Sequence, residues 1–188
     1  MQVLHALLLT LGSFLAVNAQ SLHMGRCPVP PVQQNFDVAK YMGTWYEVQK
    51  LPAFFELGKC NQATYTLQPD GVVKVVNAEL LSDGILNAIE GTARVKNASE
   101  PAILEVNFFE GTPGAPYWVV STDYENYSLI YSCTNYLGFL YVDFAWIMSR
   151  ARTLPEATVT ELLGKLTSSG ISVKRMTVTD QTGCEDMV

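Results

Sequence analysis

Ile89-Glu90-Gly91-Thr92-Ala93-Arg94-Val95-Lys96 alternates without a break: Ile89, Gly91, Ala93 and Val95 share one face, and Glu90, Thr92, Arg94 and Lys96 share the other. Successive side chains of a strand point to opposite sides, so this stretch is a strand with one dry and one wet face. The next run repeats the pattern, with Leu104, Val106 and Phe108 opposed to Ile103, Glu105 and Asn107. Working outward in both directions gives eight β-rich runs, near residues 43–50, 60–68, 72–79, 87–96, 102–109, 116–122, 127–134 and 139–149. Turn signals such as Pro69-Asp70-Gly71, Ser82-Asp83-Gly84 and Pro113-Gly114-Ala115-Pro116 join them as antiparallel neighbours. Closing eight such strands on themselves removes the unpaired edges. The period then changes. Val159, Leu162, Leu163 and Leu166 recur at helical spacing, with Pro155 suited to the first turn and Gly170 to the stop. A last strand is expected over Ile171 to Val178. The predicted fold class is therefore all-β with one C-terminal helix: an eight-stranded antiparallel up-and-down β-barrel, whose interior is sized for side chains plus one small ligand.

Composition narrows the function. The chain has 188 residues, a net charge of −6 and 16% charged residues, against roughly 25% in an average soluble domain. With 18 acidic and 12 basic residues there is no electrostatic footprint for a nucleic acid. The two histidines, His5 and His23, both precede the barrel, which leaves it no imidazole for general-base or zinc chemistry. No metal and no cofactor are predicted.

Val3 to Val17 is almost continuously apolar and closes with Val17-Asn18-Ala19. That pattern predicts a signal peptide over residues 1–19, with Gln20 as the first mature residue and a site of N-terminal modification, and one domain over 20–188. The run is shorter than the roughly 18 to 20 residues that cross a bilayer, so no transmembrane segment is expected. A secreted, extracellular protein turns Cys27, Cys60, Cys133 and Cys184 into two disulfides, for which the sequence allows three pairings. It also gives meaning to two glycosylation sequons, at Asn97 and Asn126.

Gly43-Thr44-Trp45 opens the first predicted strand, Thr122-Asp123-Tyr124-Glu125-Asn126-Tyr127 lies between the sixth and seventh, and Arg150 ends the eighth. In this order and on these elements they resemble the three signature motifs of the lipocalins, and the resemblance covers essentially all of the mature chain. Gly43 to Val48, Ala115-Pro116-Tyr117-Trp118, Val142 to Ile147 and Met176 to Gln181 are similar to a lipoprotein-associated branch of that family. The resemblance implies disulfides Cys27 to Cys133 and Cys60 to Cys184, which leaves no cysteine for a covalent partner, and it implies association with lipoprotein particles. Physically, Trp45 is expected to plug the closed end with Arg150 as a cation over its ring, a scaffold pair worth roughly 0.5 to 2 kcal/mol. Asp123 should tie its turn to the backbone.

Barrel parity assigns the ligand site. If Tyr65 faces inward, so do Ala63 and Leu67; if Lys74 faces water, Val73, Val75, Asn77 and Glu79 face inward; Trp146 brings Val142, Phe144 and Met148, with Asp143 pointing out. Tyr65, Phe108, Tyr117 and Trp146 are the expected aromatic walls, and Asn77 and Glu79 the polar handles. A carboxylate at Glu79 would oppose a second one deep in the cup, so a neutral steroid or sterol fits there, while a polyunsaturated fatty acid would keep its acid group at the mouth. Phe54-Phe55, Leu80-Leu81, Phe109 to Pro116 and Tyr136 to Phe139 form an apolar rim at the open end, and Asn97 and Asn126 fall at the closed end. These features predict a secreted carrier of a small hydrophobic ligand, not an enzyme. A carrier of a tetrapyrrole or an odorant would share the fold. A lipocalin enzyme of the prostaglandin-isomerase type would need a reactive thiol that two disulfides leave unavailable.

Overall fold

A computed structural model describes residues 22–185 and 187. The expected signal peptide over residues 1–19 and the expected mature N-terminus at Gln20 lie outside these residues. Eight strands run in sequence: β2 (Gly43–Lys50), β3 (Lys59–Leu67), β4 (Val73–Leu80), β5 (Leu86–Val95), β6 (Ile103–Asn107), β7 (Ala115–Thr122), β8 (Tyr127–Tyr136) and β9 (Leu140–Ser149). Each pairs antiparallel with the next, and β9 returns to pair with β2, Tyr46 facing Ser149 and Lys50 facing Trp146. The barrel is thereby closed, and the strand limits agree with the hydrophobic alternation to within a residue or two at most ends.

The remaining elements decorate that wall. β1 (Leu22–Met24) pairs with the upper edge of β9, which β2 leaves free above Trp146. β10 (Thr177–Val178) pairs with β2 at Lys50 and Gln49, above the point where β2 and β3 part at Tyr46 and Gln62. The expected last strand over 171–178 is thus reduced to two residues. Its first residue, Ile171, is instead buried between helix and barrel, its N–H bonded to Leu166 O at 3.0 Å, so that segment serves as helix terminus and packing. Neither β1 nor the short helix α1 (Val38–Tyr41) was anticipated. Asp37 caps α1, its Oδ1 accepting from the N–H groups of Ala39 and Lys40 at 3.0 and 3.2 Å.

Two apolar cores lie on opposite sides of one wall. Inside the barrel, Trp45, Tyr65, Val75, Leu104, Val106, Val119, Ile130 and Met148 pack together. Outside it, helix α2 (Glu156–Ser168) lays Val159, Leu162 and Leu166 over Val48, Leu129, Tyr131, Ala145 and Ile147. Spacing of three and four residues on α2 makes that stripe, and alternation along β8 and β9 supplies both faces. Gly170 takes the left-handed conformation (φ +79°) that ends the helix. Disulfides join Cys27 to Cys133 and Cys60 to Cys184, fastening the segments at both chain ends to the outer wall.

Parity needs two corrections. Asp143 does leave the barrel interior, but it is only 4% exposed: Tyr131 Oη donates to it at 3.0 Å, and His23 of β1 stands 3.0 Å from its other oxygen. The added strand covers a position that alternation alone would have left wet. Leu67, grouped with Tyr65, sits at the far end of β3 and is exposed, because the barrel is already filled above it.

The closed end is built on Trp45, which is fully buried. Its indole donates to Tyr41 O at 2.9 Å, its ring stacks on Tyr41 at 5.1 Å, and Phe36 meets Tyr41 edge-on at 5.1 Å. The Arg150 guanidinium lies 3.7 Å above the Trp45 ring and donates to the carbonyls of Thr44, Met42, Tyr41 and Tyr124 at 2.8 to 3.2 Å. Those carbonyls belong to the end of α1, the start of β2 and the β7–β8 turn, so one side chain ties three segments. Asp123 holds that turn from the other side, its Oδ1 accepting from the N–H groups of Asn126 and Tyr127 at 2.8 and 2.9 Å. We expect Arg150→Ala to lower stability by about 2 to 4 kcal/mol in urea denaturation, since it removes a cation–π contact and several charged hydrogen bonds. A loss under about 1 kcal/mol would show that the closed end holds without it.

Candidate ligand-binding site

Inward-facing side chains change character along the barrel axis. In the lower half they are buried: Ala63, Tyr65, Val73, Val75, Ala93, Leu104, Val119 and Ile130. In the upper half Asn77, Phe108, Phe144 and Trp146 are half-buried, and Ile89, directly opposite Asn77, is 39% exposed. The lumen therefore opens upward above a filled floor. Small residues make room for large ones in its wall: a Cβ on Gly91 would stand 2.6 Å from the Phe108 ring. Glycine at 91 is what lets Phe108 lie against the inner face.

The aromatic positions chosen from sequence converge, but their settings differ. Tyr65 and Tyr117 meet at the floor, hydroxyl to hydroxyl at 2.8 Å. Trp146 stands near the mouth, stacked on Phe144 at 5.8 Å, while Phe55 packs on Phe144 at 5.3 Å. Trp118, by contrast, faces the outer core against Tyr131. Asn77, expected as a polar handle, has its amide free of hydrogen bonds to any described residue.

Glu79 has another occupation. It is buried, and its Oε2 accepts from the backbone N–H groups of Leu57 and Gly58 at 2.8 and 2.6 Å, while Oε1 accepts from Asn87 Nδ2 at 2.9 Å. Its charge is met by the loop between β2 and β3 and holds that loop down. With its oxygens so occupied, Glu79 repels a carboxylate in the cup less than an unpartnered side chain would.

A second carboxylate cluster was not foreseen. Glu47 and Lys50 stand opposite Met148 and Trp146 in the β2–β9 register. Lys50 Nζ lies 3.1 Å from Glu47 Oε1 and 2.5 Å from Glu56 Oε2, and the Trp146 indole donates to Glu56 Oε1 at 3.0 Å. Thr179, from the C-terminal tail, donates to Glu47 Oε1. The β2–β3 loop, with Phe54 and Phe55 on it, is thus tied to the barrel at Glu56 on one side and at Glu79 on the other. A signal was available: Glu47 lies two residues after Trp45, on the same inward face, and an inward carboxylate requires partners.

Burial, reinforced by the charge on Glu56, pushes the Glu47 carboxyl up to about 8, although Lys50 pulls the other way. Burial also works against the Lys50 ammonium, but Glu47 and Glu56 outweigh it and hold it above its usual range. Because folded Glu47 keeps its proton to higher pH than in the unfolded chain, stability falls as pH rises from the ordinary glutamate range through about 8. Glu47→Gln imitates the protonated acid and should flatten the fall in melting temperature between roughly pH 5 and 9. An unaltered slope would assign the titration to another group.

A hollow of about 510 Å³ beside β5 and β6 is lined by Glu90, Arg94, Glu105 and Glu110 together with Gly91, Phe108 and Phe109.

A closed eight-stranded antiparallel barrel with a filled floor, an open aromatic mouth and one helix against its wall is the architecture of a lipocalin. The chain belongs to that family, with residues 36–181 matching the lipocalin-like domain. Within it, the chain is similar to apolipoprotein D from Mus musculus, 51% identical over 177 residues, covering 94% of each chain. Apolipoprotein D from Macaca fascicularis is 53% identical over 175 residues, covering 93% of each. Among solved structures, apocrustacyanin C2 superposes with a TM-score of 0.74 at 24% identity, over 86% of this chain and 92% of that one, a likeness of fold.

Proposed function

We propose that the protein is a secreted carrier that binds a small hydrophobic ligand, a steroid, sterol or polyunsaturated fatty acid, in the barrel and takes part in lipid transport at the surface of lipoprotein particles. The observation that carries this reading is the graded lumen, filled and hydrogen-bonded at the floor, aromatic and open above. Such a cup suits capture and release of a ligand. All four cysteines are in disulfides, so a thiol nucleophile of the kind an isomerase reading needs is not free. The name of the relatives at 51% and 53% identity supports the lipoprotein part. So does the mouth, where Phe54, Phe55, Phe109, Leu137 and Phe139 are exposed. Burying a ligand of roughly 20 carbons favours binding strongly, but the costs of association bring the net affinity to about micromolar.

Asn97 and Asn126 are exposed in the β5–β6 and β7–β8 loops, both at the closed end. Asn126 Nδ2 donates to Asp123 Oδ2 at 2.8 Å, and a glycosylated amide keeps one N–H for that bond. Glycans on both would leave the mouth free to meet lipid. Enzymatic deglycosylation of the secreted protein should lower its mass in two steps, and a single mass throughout would remove this part of the reading.

The carrier reading is tested by titrating delipidated protein with a neutral steroid and with a long-chain polyunsaturated fatty acid while following tryptophan fluorescence. Trp45 is sealed in the floor and Trp118 faces outward, so quenching should come from Trp146. One-site saturation that is largely lost in Trp146→Phe is the expected result. Absence of saturation with either ligand, or quenching indifferent to that variant, would exclude a lumen site for them.

A further inference from the structure

β1 and the segment that follows helix α2 meet on the outer wall just below the mouth. His23 of β1 stacks on Tyr141 with ring centroids 4.8 Å apart, and its Nε2 stands 3.0 Å from Asp143 Oδ1 and 3.4 Å from Arg175 Nη2. One ring nitrogen can donate to the carboxylate or accept from the guanidinium, not both. The contact with Asp143 is the shorter, and that buried oxygen has no other partner among the described residues, so the Nε2 proton points to Asp143. Arg175 therefore lies against a donor, and its guanidinium has no acceptor among the described residues.

Lys174 and Arg26 are in the same condition: both are exposed, and neither pairs with a carboxylate among the described residues. Gly25 N donates to Phe139 O at 2.8 Å and Cys27 is bonded to Cys133, which fixes Arg26 between them, beside the tip of the β8–β9 hairpin. At that tip Leu137 is 83% exposed and Phe139 52%, and Met24 of β1 is 76% exposed. Elsewhere on the surface, lysines have partners: Lys40 pairs with Asp37, Lys74 with Glu90, Lys96 with Glu105 and Lys165 with Glu161. In a chain of net charge −6, three unpaired cations beside exposed apolar residues are a local reversal of sign.

We propose that this flank of the mouth docks on a lipid surface that carries anionic headgroups, with Met24, Leu137 and Phe139 entering the acyl boundary and Arg26, Lys174 and Arg175 meeting the headgroup charges. The inference rests on the lipid-surface part of the carrier reading and names the surface and the side of the rim that meets it. Apolar side chains gain from entering lipid of any charge. The cations add attraction only where headgroups are anionic, about fivefold in binding for each one near the surface, and salt screens that attraction. A chain of net charge −6 is repelled by such a surface as a whole, so a preference for it must come from a local patch.

The test is flotation of the secreted, delipidated protein with vesicles of phosphatidylcholine alone and of phosphatidylcholine mixed with phosphatidylserine, at low salt and at 1 M salt, where the screening length is about 3 Å. Two variants accompany it. Arg26→Gln/Lys174→Gln/Arg175→Gln empties the patch, and Lys40→Gln/Lys96→Gln/Lys165→Gln removes the same charge from cations that have carboxylate partners. At low salt the native protein and the second variant should bind the mixed vesicles at least about tenfold better than the neutral ones, and the first variant should lose that preference while still binding neutral vesicles. Equal binding of the native protein to both vesicles would overturn the proposal and leave the carrier reading standing. So would a preference that survives 1 M salt, persists in the first variant or is lost equally in both, or capture on heparin with no preference between vesicles. Binding to neither vesicle would overturn it together with the lipid-surface part of that reading, while the Trp146 titration decides the lumen separately. The comparison of lipids and salt on the native protein decides even if a variant does not fold.

Discussion

Everything above the closed end depends on the contact between Arg150 and Trp45. A barrel of eight strands needs a floor, and here one indole fills it and one guanidinium seals it from below at 3.7 Å. The guanidinium is fixed in turn by carbonyls of α1 and its C-cap, the first barrel strand and the β7–β8 turn. A planar fork with five donors can meet several carbonyls at once, whereas a lysine offers a point charge. The same arrangement positions Tyr41, whose carbonyl accepts from the Trp45 indole N–H and whose hydroxyl meets those of Ser128 and Tyr117.

The wall has apolar material on both sides, and the polar groups caught between are distributed accordingly. Inside, they are hydroxyls at the bottom and, higher up, Asn77, whose amide meets no described residue. At the mouth they are carboxyl groups with partners. Glu79 uses the backbone of the β2–β3 loop, and Glu56 in that loop uses Lys50 and Trp146. A buried carboxylate is costly unless its oxygens are occupied, and each of these is occupied by something that must be held in place. The mouth is therefore shaped by the same bonds that make its charges tolerable. The tail takes part: between the upper halves of β2 and β3, Gln181 Nε2 donates to Glu47 O and Asn61 O, both at 2.9 Å, and Cys60–Cys184 fastens the insertion.

Much of this was readable from residues. Alternation in 89–96 and 103–108 located a half-wet sheet, regular turns made it antiparallel, and the motif residues Gly43, Trp45 and Arg150 led to the lipocalin resemblance. Parity placed Tyr65, Phe108 and Trp146 on the inner face, and Tyr117 was expected beside them as an aromatic wall, whereas the contact of Trp118 with Tyr131 in the outer core came only from the structure. Less was readable where a side chain's surroundings come from distant segments. Asp143 was rightly turned away from the lumen, but only β1, more than a hundred residues earlier, makes it buried. Glu79 was rightly turned inward, but only the β2–β3 loop makes it an anchor.

The sequence by itself determined the class of fold, the count and direction of the eight barrel strands, the C-terminal helix and most of the inward set of residues, because strand and helix periods are local properties of the chain. Tertiary structure alone decided which inward groups are spent and which are free. Tyr41, Tyr65, Tyr117 and Ser128 come from four separate elements, as do the partners of Glu47 and Glu79. Hydrogen bonds between them are set by angstrom-scale register around a closed barrel, and no local pattern encodes a distance between residues brought together only by closure.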